Sequence, residues 1–543
     1  MSTRLVVAAL VAVVAYLYLK IRHARFEQFK KLPQLKPSFL WGHMKLFDDF
    51  IKQGKPDVHA DEVFRAMRAQ AGNPPILFLD LRPVAWPMLL VASHDIAERV
   101  SKASKTAPWS TPKSPTGEEW KHSRKMFNPG FAPSHLLSLL RPILNKTWIF
   151  LNHLDSFAGS GEVFSVTSLL INLTFDIIGA VVMDADFDAQ HLNKADRGKL
   201  IRLYDELVST YTNVKASTPW WFTPRVTWHR QRLARQIDES IKPMIRAEHA
   251  RQRQSADAKK SRSVLALSLR GISELTEEDV SEACDQIKTF LFAGHDTTSI
   301  LLSWVFYELA RHPRILKVVR DELDALFGPD SDPASVRDKL LAPGGEDLVS
   351  RMPYASAVIK EALRLHPPAG SARMSPPGAG LTVPSESGEE VCVDGFIIYN
   401  CATLIQSDKN VYGETADDFM PERWLGNSDT SENTNVETTA GKDGIPAGAW
   451  RPFERGPRNC IGQELANVEA RVILAVVARR YDFVKVGTGE FEVDEKGRPV
   501  LDEEKGQFKV KSEMYSSQQV TAKPVDGMRV RVKLVPGSTA LRS

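Results

Sequence analysis

The sequence predicts a mainly α-helical chain with small β-sheets, an α+β arrangement behind an N-terminal membrane-anchor helix. Three observations lead there. An uninterrupted apolar run, Leu5 to Leu19, opens the chain. Long stretches with apolar residues at helical spacing fill its middle, and only short pieces of strand character accompany them.

Arg4 precedes the apolar run, and Lys20, Arg22, Arg25, Lys30 and Lys31 follow it. A spanning helix needs about 20 apolar residues, so this run is at the short end. It also has the length of a signal-peptide core. No small-x-small cleavage site follows, and the next residues are bulky and basic, which favours a retained anchor. The basic excess on the C-terminal side places that side in the cytosol. The expected organisation is an anchor over 1–20, a stiff basic linker with Pro33 and Pro37 over 21–46, and one folded body over 47–543.

Along the body, Ile76–Leu81 and Met88–Ala92 read as strands, with Asp80, Arg82, Pro83 and Pro87 around their turn. Ser93 caps a short helix. Longer helices are expected over His135–Leu154, Val163–Val182, Leu192–Tyr211 and Arg230–Arg251. The longest runs from Thr276 to His312 and stops at Pro313. Strand-like pieces return over Val391–Thr403 and near the C-terminus. Trp220, Trp221, Phe222 and Trp228 read either as core aromatics or as a membrane-interface contact. The helix after them carries Arg230, Arg232, Arg235, Arg246, Arg251 and Arg253, a solvated face. Residues 426–449 are polar and read as a surface loop.

Composition narrows the function. The 543 residues are 43% hydrophobic and 25% charged, enough for a large core, which excludes global disorder and collagen-like or coiled-coil architectures. With 70 basic and 67 acidic side chains the net charge is +3, so no general electrostatic drive toward nucleic acid exists. Cys284, Cys392, Cys401 and Cys460 are too few and scattered for a disulfide framework or a paired zinc motif.

The segment Phe453-Glu-Arg-Gly456-Pro-Arg458-Asn-Cys460-Ile-Gly462 leads straight into an apolar helical pattern. A cysteine just before a helix faces the positive end of its dipole, which favours the thiolate. Gly456 and Gly462 let the backbone turn tightly and approach a flat ligand, and Arg458 supplies a cation for a carboxylate. A lone cysteine is more often a small buried apolar residue. Five fixed positions, however, recur by chance only about once in ~3 million starts.

F-x-x-G-x-R-x-C-x-G resembles the haem-binding loop of cytochrome P450 monooxygenases, and the chain looks most like fungal microsomal members from secondary-metabolite pathways of the sterigmatocystin and aflatoxin type. The resemblance implies the cytochrome P450 fold, haem b with Cys460 as axial thiolate, and Phe453 packed beside the loop. A thiolate pushes electron density through iron and favours O–O cleavage. Ala293-Gly294-His295-Asp296-Thr297-Thr298 is similar to the family's oxygen-binding motif. There Ala293 and Gly294 would border the cofactor, Asp296 and Thr297 would relay protons, and the helix would open locally at Gly294. His295 fills a variable position and is a bystander. Glu361-Ala-Leu-Arg364 and Pro421-Glu-Arg423-Trp424 resemble the family's buried structural network, with Arg423 joining Glu361 and Arg364. Trp120-Lys-His-Ser-Arg124 and Arg373 look like haem-propionate partners. One departure stands out: the segment before Trp120 is short, as if residues were missing at Thr116–Gly117.

The resemblance implies a monooxygenase of the endoplasmic reticulum membrane, single-pass with a cytosolic catalytic domain. Electrons would come from NADPH through NADPH–cytochrome P450 reductase, and the substrate would be an apolar small molecule, a polyketide first and a terpenoid second. Two alternatives remain: a non-redox haem-thiolate isomerase or dehydratase, and a haem protein disabled by the short segment before Trp120.

Overall fold

Continuous short apolar runs make Ile76–Leu79 (β1) and Met88–Val91 (β2) buried strands, an antiparallel pair in register Ile76 with Val91. The computed structural model describes residues 3–101, 117–213, 222–254, 261–385, 388–426 and 444–536. They fall into two units. The first comprises Met1–Trp120, Gly370–Ala416 and Pro446–Asn459. The second comprises Lys121–Ala369, Asp417–Ile445 and Cys460–Ser543.

In the first unit, β2 continues parallel to Ile397–Asn400, which pairs antiparallel with Ser371–Met374. Leu32, Phe78, Leu89, Val91, Phe396 and Ile398 form the core on this sheet. Leu32 lies in the stretch read as a linker and is nevertheless a core residue. The helix Thr3–Arg22 has no buried residue.

The second unit is mainly helical. Its longest helix, Glu277–Arg311, begins with a capping box in which Asp279 N–H donates to Thr276 Oγ1 and Thr276 N–H donates back to Asp279 Oδ2. It packs on the helix Val166–Met183, which is apolar and long enough to cross a bilayer yet is buried along its length. A sheet of Phe164–Ser165, Arg529–Leu534 and Tyr481–Lys485 flanks them, and a hairpin pairs Ser516–Gln518 with Ala522–Pro524.

Several boundaries differ from expectation. The segment expected as one helix over His135–Leu154 is two, Pro133–Leu137 and Leu140–Ser160. The helix expected from Leu192 starts at Lys199, after a 3-10 turn. The long helix runs unbroken through Gly294, so the expected local opening is not there. Trp220, Trp221, most of the 426–449 loop and the short segment up to Thr116 lie outside the described residues. Phe222 and Trp228 are exposed, not core.

Candidate haem-binding site

Trp120, Arg373, Phe453 and Arg458 belong to the first unit. The loop that carries Phe453 and Arg458 is pinned by charge. Arg451, fully buried, donates from Nε to Glu454 Oε2 (2.8 Å) and from Nη2 to Ser101 Oγ (3.0 Å). Glu454 also accepts from Asn400 Nδ2 at 2.6 Å while holding a left-handed φ of 56°. Gly456 needs its φ of 81°, and a Cβ there would come within 2.7 Å of the Ser101 carbonyl oxygen. Beyond this clamp, the Arg458 guanidinium lies 4.3 Å over the Trp120 ring, and Phe453 packs edge-on to Trp450. Burial lowers the pKa of Arg373 and of Arg458, and the Arg373 charge lowers Arg458 further. An anion beside them would reverse both effects. Arg455 is paired with Glu98 at 2.7 Å.

Arg124, Ala293, Gly294, Asp296, Thr297, Cys460 and Gly462 belong to the second unit. Cys460 immediately precedes the helix Gln463–Val477. Cys460 is exposed as a residue, yet burial of its thiol pushes the pKa up, against the backbone N–H groups of Gly462 and Gln463 and the nearby Arg124, which pull it down. Gly462 has an ordinary φ of −87°, and a Cβ there would meet nothing nearer than the Cys460 sulfur at 3.9 Å. It keeps space beside the sulfur; it does not serve a tight turn. Arg124 donates from Nε to Asn128 Oδ1 at 2.9 Å.

On the long helix, Ala293 is exposed and Thr297 Oγ1 donates to its carbonyl at 2.8 Å. Asp296 is buried and fully engaged. Lys523 Nζ stands 2.6 Å from its Oδ1, and Thr521 Oγ1 donates to Oδ2. His295 is buried among Phe175, Tyr204 and Phe292, with burial lowering its pKa. Glu361 gathers Arg364, Arg423 Nε (3.0 Å), Trp424 Nε1 (2.8 Å) and Met420 N–H (3.0 Å).

Sequence reasoning missed Thr521 and Lys523, whose stretch carries no motif and lies 225 residues from Asp296 in the case of Thr521. It also missed Glu454, an acidic residue where φ is positive. None of the three has a sequence signature.

Within the second unit, Cys460 with Arg124 near its sulfur fits haem. Among the described residues no group of three or more His, Cys, Asp or Glu is placed to hold a metal ion. A lone thiolate donor therefore suits an iron that brings its other ligands with it. Desolvated arginines suit the carboxylates such a group carries.

The sequence profile described as Cytochrome P450 matches residues 82–510, and the chain belongs to the cytochrome P450 family. It is 31% identical to cytochrome P450 monooxygenase acrF of Aspergillus aculeatus, over 75% of this chain and 83% of that one. It is 26% identical to cytochrome P450 monooxygenase polC of Polytolypa hystricis, over 84% and 82%. In fold it is similar to the crystal structure of a cytochrome P450 (CYP102L1), with a TM-score of 0.66 at 18% identity, covering 88% of this chain and all of that one. The chain is a monooxygenase of this family, whose members hold haem through a cysteine thiolate and receive electrons through a reductase.

Proposed function

We propose that the chain oxidises an apolar small molecule of fungal secondary metabolism, an aromatic polyketide before a terpenoid, with electrons from NADPH through a separate reductase at the endoplasmic reticulum membrane. In this reading Cys460 would hold the haem iron through its thiolate. Trp120, Arg124, Arg373 and Arg458 would take the haem propionates, and Phe453, Gly462, Ala293 and Gly294 would border the group. Haem, when bound, supplies the iron on which dioxygen is activated. The chain supplies protons and shelter: Lys523 Nζ passes a proton to Asp296 Oδ1, and Thr297 Oγ1 turns from the Ala293 carbonyl to receive it. The observation that carries the reading is the Cys460 sulfur, held by two backbone N–H groups at a helix start.

The test is the carbon monoxide difference spectrum of dithionite-reduced membranes containing the chain, with Cys460→Ala beside it. A red-shifted thiolate band that vanishes in the variant is expected. The same band surviving in Cys460→Ala would overturn the ligand assignment. Spin-state titration with polyketides and terpenoids then separates the two substrate classes.

A further inference from the structure

One buried charge cluster of the first unit has no part in the chemistry above. The anchor helix Thr3–Arg22 continues into a π turn, His23–Glu27, and there Arg25 is buried. Arg25 Nη1 stands 2.6 Å from Asp80 Oδ2, with side-chain exposures of 7% and 1%. Its Nη2 donates to the carbonyls of Leu40 (2.8 Å) and Arg82 (2.7 Å), and its Nε to that of Phe39. Arg82 closes the cluster from the other side, donating to Asp80 Oδ1 at 2.9 Å and to the Ala24 carbonyl at 2.8 Å. His43 completes it. Its Nδ1 accepts from Asp80 N–H at 2.8 Å, its own N–H donates to the Asp80 carbonyl, and burial keeps it neutral by lowering its pKa. Gly42 has a φ of 55°, and a Cβ there would lie 2.3 Å from the Asp80 carbonyl oxygen, so only glycine permits the approach.

The two segments tied to the helix end each expose large apolar side chains. Leu40 and Trp41 are 60% and 52% exposed, Val84 and Trp86 40% and 55%. Scattered exposed apolar residues are ordinary. These four sit on loops bonded directly to the end of an apolar helix about 30 Å long, the thickness of a hydrocarbon core. Tryptophan favours the boundary between hydrocarbon and water. Continuity with that helix makes a bilayer, and not a protein, the occupant.

We propose that Arg25, Asp80 and Arg82 form a rigid joint between anchor and body, and that Leu40, Trp41, Val84 and Trp86 rest in the headgroup layer of a phospholipid bilayer. This rests on the anchor reading of Thr3–Arg22. The anchor then sets the attitude of the first unit on the membrane and is no loose tether.

The test uses the full haem-loaded chain in phosphatidylcholine nanodiscs, with lipids brominated near the headgroup as tryptophan quenchers. The chain has 11 tryptophans, so the readout is the emission difference between wild type and the Trp41→Phe/Trp86→Phe variant. That difference should be quenched about twofold or more by the brominated lipid, as expected of interfacial tryptophans. An unquenched difference overturns the docking surface. In an Asp80→Asn background that keeps its carbon monoxide band, the quenching should fall; quenching as strong as in wild type overturns the joint. Should Asp80→Asn lose that band, Arg25→Lys carries the same readout, since it keeps the charge and gives up the carbonyl contacts. Release of the chain by alkaline carbonate would instead sink the anchor reading itself, a failure separate from either of these.

Discussion

Lys523 Nζ and Asp296 Oδ1 stand 2.6 Å apart, with side-chain exposures of 12% and 1%. Removing one partner of such a pair leaves a buried charge uncompensated, which costs roughly 3–5 kcal/mol, whereas removing both costs far less. Lys523→Met should therefore lower the unfolding temperature markedly, and Asp296→Asn/Lys523→Met should recover most of it. A double variant no more stable than the single would show that the pair is not coupled. Lys360 gives a second residue-scale case. Its ammonium lies 4.3 Å over the Trp424 ring, and burial pulls its pKa down to about 8. The folded chain thus sheds this proton before the unfolded chain does, so stability from this group rises as pH climbs from about 8 toward the ordinary lysine value of 10.5. Thermal unfolding across that window should show Lys360→Met without the rise.

Between elements, Gly294 sets a spacing. A Cβ on it would lie 2.7 Å from Ile178 Cδ1 and 2.8 Å from Cγ1, so the long helix and Val166–Met183 approach as closely as they do because no side chain stands between them. Gly294→Ala should cost about 1–3 kcal/mol through overpacking, and Ile178→Val, which removes Cδ1, should return part of that. Calorimetry of the two singles and the double settles it; strictly additive losses would contradict the contact. The motif was legible in the sequence, but its reading as an opening was not the one the packing supports, because the partner Ile178 is invisible from the motif alone. Glu361 was more legible. Three residues apart on one helix, Glu361 and Arg364 had to share a face, and the Pro421-Glu-Arg423-Trp424 turn delivered Arg423 as expected from the resemblance. The Trp424 Nε1 and Met420 N–H donors were not foreseen, since neither position has charge to betray it. Glu361→Gln should reduce the fraction of chain showing the thiolate band, with protein level measured beside it; an unchanged fraction would make the network dispensable.

Over the whole molecule, local signals carried the reading wherever structure is set by neighbours in sequence. The apolar run, the capped long helix, the β1–β2 pair and the cysteine at a helix start all depend on residues within a turn or two of one another. What stayed hidden depends on long-range pairing: Asp296 with Lys523, Glu454 with Asn400, and Arg25 with Asp80. The last of these makes a prediction for the entire anchored chain. Burial pushes the Asp80 carboxyl up, but hydrogen bonds and charge from Arg82 and Arg25 outweigh it and hold the pKa below the ordinary 3.8. A carboxylate depressed in this way contributes stability that is full above its unfolded value and is lost as pH falls through its folded value. The joint should therefore stay closed at neutral pH and open only below 3.8, once Asp80 takes a proton. Amide exchange reads this directly, because His43 N–H donates to the Asp80 carbonyl and Asp80 N–H donates to His43 Nδ1. In membrane-bound protein both amides should stay protected at neutral pH and lose protection in acid before the long helix does. Asp80→Asn should expose them already at pH 7, which separates this carboxylate from the many others that acid protonates. Equal protection in wild type and variant at pH 7 would mean that the backbone alone holds the segment, and that the buried ion pair is not what fastens the anchor to the fold.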